Sequence, residues 1–249
     1  MYMYMNKISI FEQFNEVEAF FSYKPDRSLD LIPSIGLSLG EGEYLIKPHM
    51  VHGKHVQVID REFLEGEHIK AEGYPELADV PGYIEVPVTD GLVTDIPGAG
   101  LVTTHGDCIP VFAFDPVKRV AGVAHAGWKG TMLGIAAELV KTMKEHYGCR
   151  PENICTYIGP GIGKCHFEVR DDVRHKFLEY APWTQEYISV KDDEHYLIDL
   201  KGINERYLRS EGVEKVEISP DCTYCLEEKY WSYRRCGDKD RMLAYIKLI

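Results

Sequence analysis

Several absences limit what this 249-residue chain can be. It has no run of lysines and arginines. With 28 basic against 40 acidic residues its formal charge is −12, which repels phosphate backbones and speaks against a nucleic-acid partner. It lacks any stretch of the roughly 18 apolar residues that a membrane span needs. Its opening, MYMYMNKISIFEQF, has no basic n-region, long apolar core or small-residue cleavage site. No membrane and no processing are expected. Nor is there an even, regularly spaced set of cysteines: the seven present read as reduced thiols with some chemical use, which implies a cytoplasmic protein. Internal repeats and low-complexity tracts are missing too.

With 45% hydrophobic residues, the chain can bury the core of one domain over residues 1–249. The first forty residues show no clear period, and IGLSLGEGEY is punctuated by glycine like a turn. HVQVID alternates as a strand does, whereas the glycines and prolines of EFLEGEHIKAEGYPELADVPGYIEVPVTD suit a loop-rich excursion. GAGLVTTHGDCIPVFAFD and KRVAGVAHAG read as strands. From Thr131, TMLGIAAELVKTMKEHYG places Met132, Ile135, Ala136, Leu139, Val140, Met143 and Tyr147 at helical spacing up to a stop at Gly148. Further on, ENICTYIGPGIG reads as a strand and a glycine-rich loop, DDVRHKFLEYA as a helix, and HYLIDLKGINERYLRSEGV as a strand or turn entering a helix. The expected class is α+β, with mixed and antiparallel sheets packed with helices.

The segment DCIPVFAFDPVKRVAGVAHAGWKG, Asp107 to Gly130, carries the chemistry. Folded as a hairpin with Asp115 opposite Lys118, it sets Cys108 opposite His125. Opposed side chains in an antiparallel pair have Cβ atoms about 5 Å apart, close enough to share one zinc ion or to hydrogen-bond. The pair therefore suits metal ligation, a cysteine nucleophile activated by histidine, or plain packing. Ala126-Gly127-Trp128-Lys129-Gly130-Thr131 then leads into a helix N-terminus, a ready anion site beside the pair. A third ligand can come from PHMVHGKHVQV. Pro48, Gly53 and the β-branched run argue for extended chain, so either His52 or the pair His49 and His55 points at one site.

Other residues carry weaker signals. Glu168 suits a general acid or a ribose contact. Arg234, Arg235 and Arg241 could grip phosphate. Cys222 and Cys225 form a single CxxC; with no second pair to complete a zinc site, packed thiols are the expectation, with a redox role behind. Trp128 suits stacking on a purine or closing the core.

The motifs MVHGKHV, DGLVT, GDCIPVFAFDP, VAHAGWKG, IGPGIGKCHFEV, DCTYCLEEKYWSYRR and DRMLAYI together resemble, in order and spacing, the laccase-domain family, once called multicopper polyphenol oxidases. The resemblance runs from about His52 to the C-terminus. It implies a zinc-dependent purine nucleoside phosphorylase acting on adenosine, inosine, guanosine or methylthioadenosine with phosphate, with adenosine deaminase as a side activity. It also implies His52, Cys108 and His125 as the zinc ligands. Cys108, His125, Glu168 and Arg241 then stand as the catalytic set. The histidines do not suit the older copper label, since none of the ten forms the His-x-His pair that a laccase's copper cluster needs. A Cys–His hydrolase using Cys108, or a non-catalytic thiol and zinc redox module, is the alternative.

Overall fold

The computed structural model describes residues 5–24, 31–36, 38–66 and 77–249. One six-stranded sheet has the order β1 (Met5–Lys7), β2 (Val17–Ser22), β15 (Met242–Leu248), β7 (Ala99–His105), β3 (Tyr44–Pro48), β5 (Tyr83–Val86). A second has β14 (Lys215–Ile218), β10 (Cys155–Ile158), β8 (Ile109–Asp115), β9 (Val120–Ala126), β6 (Gly91–Thr94), β4 (Val56–Ile59). A small third sheet orders β11 (Glu168–Arg170), β13 (His195–Ile198) and β12 (Ile188–Val190). Both large sheets are mixed: β3 runs parallel to β5 and β7, β4 to β6, and β10 to β14, while the other pairs are antiparallel. This is the expected mixture of sheet and helix.

The two large sheets face each other, and the side chains of β8 show why. Phe112 and Phe114 join Ile46, Leu101 and Ile246 in the core between the sheets. Val111 and Ala113 point the other way, into a second core with Ile135, Leu139, Val140 and Met143 of α4 (Ile135–Tyr147). Every residue of β8 and β9 is buried, so these strands read as continuous apolar runs and not as alternation. On the outer face of the first sheet, Phe20, Leu45, Val102 and Tyr245 are covered by Ile32 and Ile35 of α1 (Leu31–Gly36) and by Leu77. α6 (Leu200–Ser210) packs beside α4. α5 (Asp171–Tyr180) opens on Asp171 and Asp172, where negative charge favours a helix start. α2 (Arg61–Glu65) begins at Asp60, whose carboxylate accepts from Phe63 N at 2.9 Å; residues 67–76 of the loop-rich excursion lie outside the described residues.

Two expectations are corrected. The hairpin pairs Asp115 with Val120 and Pro110 with His125, so its register is two residues from the one expected. The tight turn at Pro116-Val117 is replaced by four residues, because the Asp115 carboxylate accepts from the amides of Val117 (2.8 Å) and Lys118 (3.0 Å), and Arg119 turns the chain at φ 53°. A slip of two keeps each side chain on its face, so Cys108 and His125 still share one side. The long helix is two helices: α3 (Trp128–Leu133) ends at Gly134, at φ +81°, and α4 starts afresh. Periodicity ran through Gly134 because the apolar spacing survives the break.

Gly134 is the joint between the helix at the site and the helix on the core. A Cβ there would adopt a left-handed conformation and lie 3.0 Å from the ring of Tyr207. Gly134→Ala should destabilise the fold by about 1–2 kcal/mol, read as a lower urea midpoint with an unchanged slope.

Candidate metal centre and cavity

Asp90, with no exposed surface, organises the site from the position just before β6. Its Oδ1 accepts from the amide of His52 at 2.9 Å and faces His125 Nδ1 at 3.0 Å. Its Oδ2 accepts from the amides of Gly53 (2.7 Å) and Val51 (3.1 Å). Its carbonyl accepts from the amide of His125 at 2.7 Å. Burial alone would raise this carboxyl, yet His125 and the amides of Gly53 and Val51 hold it below the usual range. A carboxylate can only accept, so Nδ1 of His125 carries a proton and Nε2 is left for a metal.

The same carboxylate places His52. Three successive amides wrapped round one carboxylate bend the loop, and His52 takes φ 61°, uncommon for a side chain this large. His52, Cys108 and His125 then converge, with ligand atoms within 4.8 Å of one another. His49 and His55 stay exposed outside this group, so the middle histidine is the one brought in. Glycine makes room: a Cβ on Gly127 would lie 2.8 Å from His52 Cδ2 and 3.2 Å from Cys108 Sγ.

Cys108 lies just before β8, on a turn held from several sides. Asp107 adopts φ 90°. Its Oδ1 accepts from the Thr223 hydroxyl at 2.7 Å, its Oδ2 from the amide of Arg234 at 2.7 Å, and its carbonyl from the amide of Ile162 at 2.8 Å. Such a strained position persists only where its surroundings fix it. The Cys108 carbonyl lies 3.1 Å from His105 Nδ1, and His105 Nε2 lies 2.8 Å from the Thr103 hydroxyl. Burial and the charge on His125 drive His105 well below its usual pKa. It is therefore a neutral ring donating from Nδ1 and accepting at Nε2.

Burial would raise the Cys108 thiol, but the charge and hydrogen bond of His125, followed by His52, bring it down to about 6. Burial would lower His125, but the Cys108 thiolate and Asp90 push it up to about 9. Without metal, the pair is a thiolate beside an imidazolium. One sulfur and two imidazole nitrogens that meet at a cavity form a donor set suited to zinc with an open position.

A cavity of about 510 Å³ opens onto these ligands, within the size range of small-molecule sites. Trp128, Phe167 and Ile162 give it apolar walls, and Arg234 and Arg241 supply charge. Arg241 is tethered to the carbonyls of Asp238 (2.7 Å) and Asp240 (2.9 Å). Arg234 donates to the Glu168 carbonyl at 2.7 Å and lies over the Phe167 ring. Arg235 turns away to the carbonyls of Thr223, Tyr224 and Tyr230. Glu168 does not join the cavity. Its carboxylate pairs with Lys191 and His195 on the small sheet and is held below its usual pKa, first by Lys191. The expected anion site becomes the start of α3, a helix of six residues, where Trp128 lines the cavity.

Sequence reasoning missed Asp90. It stands in DGLVT, one of the motifs behind the resemblance, and its signal was a lone acid before a β-branched strand. It also missed a second group of ligands: Cys165, His166, Cys222 and Cys225 lie with their ligand atoms within 4.8 Å of one another. The CxxC was expected to be packed thiols for want of a second pair; the structure corrects this, because the adjacent Cys165-His166 from another loop stands beside it.

Residues 34–249 match the family model described as "Multi-copper polyphenol oxidoreductase laccase". The chain belongs to this family. Its similar relatives include a protein named purine nucleoside phosphorylase in Deinococcus radiodurans, 38% identical over 69% of this chain and 64% of that protein. Purine nucleoside phosphorylase YlmD of Bacillus subtilis is 35% identical over 64% of this chain and 58% of its own. Purine nucleoside phosphorylase LACC1 of mouse is 33% identical over 64% of this chain. The matched stretch spans only 37% of that mouse protein. A solved structure titled Bacillus licheniformis hypothetical protein YfiH superimposes with a TM-score of 0.82 at 27% identity, covering 99% of this chain and 97% of that one. That of YlmD from Geobacillus stearothermophilus gives 0.76 at 27% identity, covering 95% and 93%.

Asp90→Asn should weaken zinc binding by about 10–100-fold, as loss of a carboxylate behind a ligating histidine does; competition with a chromophoric chelator measures it. Zinc binding should also strengthen as pH rises. Between about 6 and about 9 the thiolate is already formed and His125 still holds its proton. Each zinc ion should therefore displace about one proton from this pair, and about two below the thiol's range. Calorimetry in buffers of different ionisation enthalpy counts them.

Proposed function

We propose that the chain is a zinc-dependent purine nucleoside phosphorylase, cleaving nucleosides such as adenosine, inosine, guanosine and methylthioadenosine to base and ribose 1-phosphate. The observation that carries this reading is a cavity that joins His52, Cys108 and His125 to an aromatic wall and two arginines. Relatives named purine nucleoside phosphorylase support the same reading. In an acidic chain, Arg234 and Arg241 make the local basic pocket that a phosphate needs.

In phosphorolysis the bond from C1′ to the purine nitrogen breaks and a bond from C1′ to a phosphate oxygen forms, through an oxocarbenium-like ribose. Trp128 and Phe167 offer flat apolar faces for a purine. Arg234 and Arg241 hold the phosphate from fixed positions, because Arg234 donates to the Glu168 carbonyl and Arg241 to the carbonyls of Asp238 and Asp240. His52, Cys108 and His125 would hold zinc, which supplies Lewis acidity toward a substrate oxygen. Asp90 keeps His125 in the tautomer this needs. With Glu168 engaged by Lys191, the leaving purine takes its proton from another group or from solvent. Adenosine deamination belongs to the same reading as a side activity at the same ligands.

A cysteine hydrolase finds support in the thiolate–imidazolium pair. It leaves unexplained why the loop is bent to bring His52 onto the same point.

Purified zinc-loaded protein should release purine from inosine or adenosine only when phosphate is added, with saturation in phosphate and competition by sulfate. Chelation, Cys108→Ala or His125→Ala should each lower the rate by at least about 100-fold while circular dichroism keeps its native shape. Equal base release without phosphate would replace phosphorolysis by hydrolysis. Activity that survives chelation would favour the cysteine hydrolase.

A further inference from the structure

The second group of ligands lies outside the cavity and takes no part in the chemistry above. Cys165 and His166 lie on the loop between β10 and β11; Cys222 and Cys225 lie on the turn after β14. Cys165 Sγ is 3.6 Å from Cys225 Sγ. His166 Nδ1 is 3.3 Å from Cys165 Sγ and 3.2 Å from Cys225 Sγ. A tetrahedral zinc ion with sulfur at about 2.3 Å and nitrogen at about 2.0 Å holds its ligand atoms about 3.5–3.8 Å apart. The side chains already stand close to that spacing, whereas a disulfide needs sulfurs about 2.05 Å apart.

The surroundings are built as for a metal-bound thiolate. The amide of Gly163 donates to Cys222 Sγ at 3.2 Å, and the amide of Cys225 also bonds that sulfur. The His166 ring is stacked on Tyr224, centroids 3.9 Å apart and 14° from parallel, which fixes the direction of Nδ1. A Cβ on Gly163 would lie 3.2 Å from Cys165 Sγ and 3.2 Å from Cys222 Cβ, so glycine leaves room for the sulfurs to meet. Lys201 donates to the carbonyls of Ser219 (2.8 Å) and Asp221 (2.7 Å), holding the chain that enters Cys222. Three sulfurs and one imidazole with no bulky neighbour between them match a closed structural zinc site, not a catalytic one.

We propose that Cys165, His166, Cys222 and Cys225 bind a second, structural zinc ion, separate from the centre at His52, Cys108 and His125. The ion ties the loop that carries Ile162 and Phe167 to the turn that carries Thr223. Ile162 and Phe167 line the cavity, and Thr223 holds Asp107 beside Cys108. Backbone bonds already begin this tie, from Thr223 N to the Gly161 carbonyl at 3.1 Å and through a bridge between Gly161 and Cys222. The ion would fix the side-chain end of the same joint.

Metal analysis of protein purified under reducing conditions with zinc, and then gel-filtered, tests this. Wild type should hold about one zinc ion more per chain than Cys225→Ser, whatever is bound at the first centre. In Cys108→Ala loaded with one equivalent of cobalt, the second group is the one remaining cluster of converging thiolates among the described residues, so a strong thiolate-to-cobalt band of the intensity of several sulfur ligands, with tetrahedral d–d absorption, is expected. That spectrum decides alone if Cys225→Ser fails to fold. Equal zinc in wild type and Cys225→Ser, or no thiolate-to-cobalt band in Cys108→Ala, would overturn the proposal. So would a Cys165–Cys225 disulfide in the reduced, zinc-supplied protein. Loss of zinc in Cys108→Ala with the difference at Cys225 intact would leave both centres standing. No loss in Cys108→Ala would remove only the first.

Discussion

The centre depends on one buried carboxylate. Asp90 draws the amides of Val51, His52 and Gly53 and the imidazole of His125 onto its two oxygens. A buried carboxylate stays ionised only when such donors replace its water. Because those donors come from a loop and from β9, they are brought together as a consequence. His52 belongs to an irregular loop and is exposed; little packing of its own would hold it. Its direction comes from backbone bonds to Asp90, and the left-handed φ it adopts is the local cost of that arrangement.

Cys108 reaches the same point from the opposite side, through a different set of constraints. Asp107 is fixed by Thr223, Arg234 and Ile162, each remote from it in sequence. The thiol is therefore positioned by the C-terminal half of the chain, and the histidines by the N-terminal half. The sheet between them is stiff because both of its faces are buried, with aromatic rings on one and α4 on the other. A ligand set drawn from three places in the chain can stay within 4.8 Å only on such a support.

The strands of the hairpin were legible because long apolar runs bounded by turns leave few other readings; the expected pairing of Cys108 with His125 gave way to Pro110 opposite His125, but the two residues kept a common face. The shared face has a physical reason: strand faces repeat every two residues, so a slip of two changes neighbours and not sides. Gly134 was hidden because a glycine within a continuing apolar period looks like a tolerated one. Glu168 looked available because a strand position says which face a side chain takes and not which cation waits there; Lys191 lies 23 residues away. Asp90 and the pair Cys165-His166 were hidden for a common reason. Their partners are distant in sequence, and only the folded sheets bring them within bonding distance. The family resemblance supplied His52 before any geometry could.

The family's copper title bears on the metal through donors alone. Two imidazoles and a thiolate are shared by zinc sites and by electron-transfer copper sites, so the first centre by itself does not separate the two metals. The difference lies in what else a multicopper oxidase must have: a histidine-rich cluster where oxygen is reduced. Among the described residues, the two groups of ligands contain His52, His125 and His166 and no other histidine. The second group offers three sulfurs, which suit a redox-inert closed site better than an oxygen-reducing one. Among the described residues, no such histidine-rich cluster is brought together. Beside the first group of ligands the cavity places two arginines and aromatic side chains, the lining on which the function proposed above rests, and that reading requires no electron transfer.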